Sequence, residues 1–228
     1  MALALARAPD RPLRILELFA GTESLAKVAR ARGHEVVTLD ISPRHNPTIC
    51  ADVLEWDMDV YSPEYFDYMH ASCPCESYSR ARTAGGERPL TQADALVRKT
   101  LEIFEYFYAA QWTVENPATS LLWTRPVAQP LLAHVAKTSY CVYSAPEDRF
   151  AYRKNTWFAA SWDIQLRSQC DGTGGCGSMI GRRHKEHAQK GGGGVESRWH
   201  TRDELHRIPA ALCEDVLAQV ENGARVEE

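Results

Sequence analysis

The sequence contains no apolar run approaching the roughly 20 residues of a membrane-spanning helix. Its opening stretch, MALALARAPDRPL, is short and broken by Arg7, Asp10 and Arg11, and is not expected to serve as a secretory signal or an anchor. Positive charge is not in surplus either: 26 Lys and Arg stand against 30 Asp and Glu, a net charge of -4. That excludes a globally basic, non-specific nucleic-acid binder and leaves any phosphate contact to a local patch. A GxGxxG fingerprint is missing, as are internal repeats and sustained heptads. The seven cysteines are odd in number and irregularly spaced, which argues against a disulfide framework and for reduced thiols inside a cell.

What is present is the material of one α/β domain. At 228 residues and 44% hydrophobic content the chain can bury one sizeable core with small decorations. Short apolar segments recur at RILELF (14–19), EVVTLD (35–40), TICADV (48–53), FDYMHASC (66–73), WTVEN (112–116), TSYCVYS (138–144) and NTWFAA (155–160), each read as a strand. Between them, LAKVARARG closes on Gly33 as a helix does. Residues 92–110 have helical spacing, with Leu96, Thr100, Ile103, Phe104 and Phe107 on one side. Tyr106, Phe107 and Tyr108 are read as core of that helix rather than as a platform for stacking. Strands alternating with helices predict a doubly wound, mostly parallel sheet. After residue 167 the composition changes: nine of the fourteen glycines lie between 170 and 194. A loop or small insertion is expected there, followed by a final helix, ALCEDVLAQVEN.

Doubly wound sheets bind ligands outside the carboxyl ends of their strands. Four candidate sites fall at such ends: FAGTES after the first strand, Asp40 after the second, SCPC after the fourth and ENP after the fifth. Gly21 permits a tight turn with backbone close to a ligand. Asp40, nineteen residues on, suits a ribose diol, and Asp52, after the third strand, suits an exocyclic amine. Together they describe a site for a nucleoside-bearing cofactor.

LELFAGTESL, SCPCESYS and TVENP stand in the order and approximate spacing of the motifs of cytosine carbon-5 methyltransferases, and over roughly residues 14 to 160 the chain resembles that family. The family carries FxGxG after its first strand, Pro-Cys after its fourth, Glu-Asn-Val after its fifth, and later an arginine motif, Gln-x-Arg-x-Arg. Here YRKNTWF (152–158) is a degenerate form of the last, keeping Arg153. The chain is similar to compact, phage- and virus-encoded members. Glu23 and Ser24 replace family glycines, ENP replaces ENV, and neither a Gln-x-Gly-Asn motif nor room for a large target-recognition domain is found.

The resemblance implies a sheet of the S-adenosylmethionine-dependent, Rossmann-like type. It also implies S-adenosylmethionine held by Phe19, Ala20, Gly21, Thr22, Asp40, Ile41, Asp52, Val53 and Pro74, with DNA as the partner. Carbon 5 of cytosine is too electron-poor to attack a methyl sulfonium unaided; a thiolate adding to carbon 6 makes it enamine-like. Cys75 is the implied nucleophile, Glu115 the acid that meets ring nitrogen 3, and Asn116 the residue that orients the loop. Arg153 is a candidate source of positive potential at the thiol, as are Arg80 and Arg82, these two by proximity in sequence alone. Cys73 has one residue between it and Cys75, not the two of a zinc knuckle, and is expected in the core.

A second cluster, Cys170, Cys176, His184 and His187, has the ligand types of tetrahedral structural zinc, with His200 or Cys213 as substitutes. The plain alternative is a solvated glycine-rich loop. Arg182, Arg183, Lys185 and Lys190 surround the cluster as a basic patch suited to phosphates, and the insertion is read as a reduced target-recognition element.

The expected organisation is a catalytic domain over residues 14–166, a glycine-rich insertion over 167–200 and a C-terminal helix over 201–228 that completes the domain. The expected location is intracellular, in the cytoplasm or nucleus of a host, with no membrane partner. One alternative is the same chemistry on RNA or a free cytosine nucleotide. Another is a non-catalytic nucleic-acid-binding relative whose cofactor loop has decayed at Glu23 and Ser24. A nicotinamide oxidoreductase shares the acidic strand end but leaves Cys75 with Glu115 unexplained.

Overall fold

Alternation along the first strand, β1 (Arg14–Leu18), assigns the two faces of the molecule. Ile15 belongs to one buried cluster, Leu16 and Leu18 to the other. The computed structural model, which describes residues 11–80, 88–108, 110–145, 150–173, 176–187 and 200–223, builds both clusters around a seven-stranded sheet. After β1 come α1 (Ser24–Ala31), β2 (Glu35–Asp40), β3 (Ile49–Cys50), β4 (Tyr68–Ala71), α2 (Leu90–Tyr106), β5 (Gln111–Pro117), β6 (Val135–Ser139) and β7 (Asn155–Ala160). A two-stranded hairpin of β8 (Met179–Ile180) and β9 (Arg183–His184), then α3 (Arg202–His206) and α4 (Ala210–Gly223), complete the described elements.

The strand order is β3-β2-β1-β4-β5-β7-β6, parallel from β3 through β5, with β7 antiparallel to both of its neighbours. The expected doubly wound, mostly parallel sheet is therefore what forms. α2 supplies Val97, Ile103 and Phe104 to the core that holds Leu16, Leu18 and Met69. α1 and α4 cover the opposite face, where Leu25, Leu212 and Leu217 pack with Ile15 and Tyr68.

Three local outcomes differ from the sequence reading. The segment TSYCVYS is strand only to Ser139; Tyr140–Val142 turns as a 3-10 helix with Tyr140 and Cys141 fully buried. The turn is closed by the Tyr143 amide donating to the Tyr140 carbonyl at 2.9 Å. TICADV narrows to Ile49–Cys50, because the Glu55 amide bonds back to Asp52 and starts a turn. α2 stops at Tyr106, so Phe107 packs edge-on against Phe66 in the core while Tyr108 stands exposed.

α1 starts at Glu23 in a left-handed conformation with no side-chain cap of its own. Glu17, on the α1 side of β1, accepts from the amides of Leu25 and Ala26 at 3.3 and 2.9 Å and meets the helix terminus instead. α4 is fixed to the end of α1 by charge: Glu221 accepts from Arg32 at 2.6 and 2.8 Å and pairs with His34 at 2.9 Å. Among the described residues, no helix is long and apolar enough to cross a membrane.

Candidate active site

Sheet register brings the candidate residues to one edge. Leu18 is paired with Leu39 and with Ala71, and Ala71 with Val114, so Phe19, Asp40, Ser72 and Glu115 follow in one row at the carboxyl ends. The order of the strands reverses between β1 and β4, which is where such sheets open a crevice. Because β7 runs antiparallel to β5, its amino-terminal end reaches the same edge; Pro117 is paired with Thr156.

On the β1–β3 side, Phe19 has φ 55°, Gly21 φ 47° and Glu23 φ 57°, three left-handed residues in one short turn. Two of the three are not glycine, and strain of that kind persists only where surroundings enforce it. The enforcing contacts are visible. The Ala20 amide bonds to Leu39 at 3.1 Å and the Gly21 amide to Asp40 Oδ2 at 2.8 Å. Glu23 pairs with Arg30 at 2.7 Å and accepts from Thr38 at 2.8 Å, so the residue that replaces a family glycine is a structural brace of the turn. Thr22 contacts Ser24 at 3.2 Å. Asp40 Oδ1 accepts from the Ser42 amide at 2.8 Å, and each carboxylate oxygen retains a lone pair. Beside it Ile41 is 68% exposed, an apolar surface with nothing on it. Asp52 accepts from Leu54 at 3.0 Å over buried Val53. This donor set, an acidic pair at a strand end with an open isoleucine and a tight backbone turn, fits the nucleoside of S-adenosylmethionine.

On the β4–β5–β7 side, Asn116 donates from Nδ2 to the Cys73 carbonyl at 2.8 Å and so ties the loop after β4 to the neighbouring strand. Cys73 faces the core beside Thr100, its thiol pushed up to about 12 by burial. Pro74 is exposed and Cys75 half-buried. Burial also pushes the Cys75 thiol up; Lys154 opposes that, while Glu115 and Glu76 add to it. Glu115 is buried, and its Oε1 accepts from both Thr156 and, at 3.3 Å, Tyr140. Lys154 lies 4.5 Å over the Tyr140 ring and donates to the Leu205 carbonyl at 3.0 Å. The segment carrying α3 crosses this edge: Arg202 pairs with Glu76, and the Ile208 amide donates to Ser24 at 3.0 Å.

A curated relative, the "Probable DNA (cytosine-5)-methyltransferase" of Frog virus 3 (isolate Goorha), is 31% identical over 224 residues, covering 90% of this chain and 99% of the relative. The chain belongs to the cytosine-5 methyltransferase family. Among solved structures, the Entamoeba histolytica methyltransferase EhMeth aligns with 71% of the chain at TM-score 0.50 and 13% identity. The chain spans 58% of that structure's length, and the likeness is one of fold. The S. pombe Dnmt2 methyltransferase aligns with 71% of the chain and 54% of its own at TM-score 0.43 and 13% identity. No family model matches the sequence.

As a cytosine-5 methyltransferase, the protein is an S-adenosylmethionine-dependent enzyme, and its structure rearranges one part of the motif set. Arg153 is exposed and turns toward the glycine-rich insertion, its Nη1 only 3.0 Å from where a Cβ of Gly172 would stand. The cation whose charge acts on Cys75 is Lys154, its neighbour in sequence, which donates at 3.4 Å to the Tyr140 hydroxyl that reaches Glu115. Arg80 is exposed on the loop after Cys75, and Arg82 lies outside the described residues. Lys154, Tyr140 and Arg202 were not legible as site residues. Lys154 was hidden beside an arginine that matched a family letter, and the other two are brought in by tertiary contact alone. In the insertion, Cys170, Cys176 and His184 come together, whereas His187 is exposed and outside their group; Cys141 takes the fourth position. Lys190 and Gly191–Gly194 lie outside the described residues.

Proposed function

We propose that this methyltransferase modifies carbon 5 of cytosine in DNA, through a transient covalent bond from Cys75. The observation that carries the reading is the Asn116 clamp on Cys73. It holds the Pro74–Cys75 loop against the strand that bears Glu115, where the charge of Lys154 acts on the Cys75 thiol. DNA as the substrate follows the name carried by the viral relative.

In this reading S-adenosylmethionine, held along Phe19–Thr22, Asp40–Ile41 and Asp52–Val53, supplies an electrophilic methyl group. Lys154 favours the thiolate of Cys75, whose sulfur forms a bond to carbon 6 of the ring. Glu115, with Oε1 occupied by Tyr140 and Thr156, has Oε2 free to meet ring nitrogen 3 as charge develops there. Carbon 5, made enamine-like, would then bond to the methyl as the methyl–sulfur bond breaks, its electron pair staying on sulfur so that the cofactor leaves as a neutral thioether. Loss of the carbon-5 proton to a base and cleavage of the sulfur–carbon bond return Cys75 to its starting state. In duplex DNA the target base has first to leave the stack, a cost of about a few kcal/mol that single-stranded DNA lowers. Exposed Arg182 and Arg183, at the turn of the β8–β9 hairpin, with Lys185 beside them, are the phosphate-contacting side chains of this reading.

Covalent trapping tests it. DNA containing 5-fluorocytosine, single- or double-stranded, presents fluorine where the proton must leave. The wild type with cofactor should stop as a protein–DNA adduct, and the Cys75→Ser form should give none. Adduct formation that survives Cys75→Ser would remove Cys75 from the role. Adducts on RNA alone would reassign the substrate.

A further inference from the structure

The insertion after β7 carries a group of side chains that the reaction does not use. Cys141, Cys170, Cys176 and His184 each present one donor atom, and the four atoms lie within 4.8 Å of one another. Cys170 Sγ and Cys176 Sγ are 3.5 and 3.4 Å from His184 Nε2. All three cysteines are free thiols. Around a tetrahedral zinc ion, with Zn–S near 2.3 Å and Zn–N near 2.0–2.1 Å, a sulfur and a nitrogen ligand stand about 3.5 Å apart and two sulfurs about 3.8 Å. The two sulfur–nitrogen separations match that geometry, and the whole group lies within 4.8 Å.

We propose that Cys141, Cys170, Cys176 and His184 form a structural zinc site. Three soft sulfurs and one imidazole select zinc over oxygen-seeking cations such as magnesium or calcium. Four protein ligands close the coordination sphere and leave no open position for catalysis. The contribution of Cys141 sets the architecture. It comes from the 3-10 turn after β6, at the edge of the main sheet, whereas the other three come from the insertion. One ion would therefore fasten the insertion to the sheet rather than merely order a loop within itself.

The backbone supports the same arrangement. Ser178 donates to the Cys141 carbonyl at 3.0 Å, and the Cys170 amide donates to Ser139 at 3.1 Å, so both sides of the contact are held independently of a metal. Gly177, φ 68°, turns the chain directly after Cys176, and Gly181, φ 60°, forms the hairpin turn that returns it to His184. The other sequence candidates lie outside the group: His200 is buried with Nε2 3.4 Å from Glu186, and Cys213 is buried in α4. Arg153 reaches the insertion beside Gly172, a position suited to balance the net negative charge of three thiolates around one divalent ion.

The site does not depend on the methyl-transfer reading, and metal content tests it without an activity assay. Full-length protein expressed with zinc should contain one zinc per chain by elemental analysis, as should His187→Ala. Cys141→Ser should lose it. Because loss of a ligand could also unfold the region, Cys141→His supplies a second arm: it keeps four ligands and should retain zinc. In its cobalt(II)-substituted form the sulfur-to-metal charge-transfer absorption should fall by about one third, as three thiolates become two. Zinc-free protein after zinc-supplemented expression, zinc retained in Cys141→Ser, or unchanged charge-transfer in Cys141→His would each overturn the assignment.

Discussion

Lys154 and Arg153 are adjacent in sequence and point to different neighbours, the charge of one acting on Cys75 while the other reaches the insertion at Gly172. The thiol of Cys75 is held up by burial, so a cation positioned to favour its ionised form has direct leverage on its reactivity. Lys154→Met should move the alkylation of Cys75 to higher pH and slow adduct formation by about tenfold or more. Arg153→Ala should leave the alkylation profile in place. Mass-spectrometric labelling of Cys75 against pH reads both; the opposite pattern would return the role to Arg153. At this scale the sequence is informative about placement: Cys75, Glu115 and Asn116 were expected after β4 and β5, and register and the Asn116–Cys73 bond bring those strand ends together. It is silent where direction decides, because the letters RK do not say which of two neighbours turns inward. Cys141 shows the same limit: it lies far from Cys170 along the chain and becomes its neighbour only after the sheet has formed.

Among elements, the long signals were the readable ones. β1, β2, β4 and β7 fall within the apolar segments that predict them, β5 runs one residue past its segment at each end, and α2 lies within two to four residues of its expected ends. TSYCVYS has strand-forming residues throughout, yet Tyr140 and Cys141 enter the core through a 3-10 turn, since tertiary burial outweighs local preference. The five-residue α3, fixed by a Thr201–Glu204 capping box, is too short for any periodicity to declare it. The β8–β9 hairpin belongs to the same class of small elements, and its turn carries Arg182 and Arg183 exposed. Reversing both charges to Glu should weaken nucleic-acid binding and lower the slope of log affinity against log salt by about two. Fluorescence anisotropy across a salt series measures this, and an unchanged slope would take the hairpin out of the interface.

The whole molecule stands on a sheet whose centre contains a titratable group without charge. His70 of β4 is fully buried, between Thr113 at 2.8 Å and Ser72 at 3.1 Å, and burial pulls its imidazole down to about 3. An unfolded chain takes up that proton near pH 6.5, so the folded state loses stability as pH falls from 6.5 toward 3. Between pH 7 and pH 4 the loss from this residue should be on the order of 3 kcal/mol. Urea unfolding of the wild type and His70→Gln should show their difference in stability shrinking by that amount. The comparison cancels Glu17, whose carboxyl, raised to about 7 by burial, works in the opposite direction over part of the same range. A difference that stays constant with pH would show that His70 accepts its proton inside the fold.

One further consequence concerns the order in which the chain is made. Every strand of the main sheet lies between Arg14 and Ala160, and the proposed carboxylate and thiol, Glu115 and Cys75, are on it or beside it. The Arg202 side chain that meets Glu76, the Leu205 carbonyl that accepts from Lys154 and the Ile208 amide that donates to Ser24 all emerge from the ribosome afterwards. A nascent chain can thus complete its sheet before the strap of residues 201–208 arrives to close the edge that carries Cys75 and Glu115.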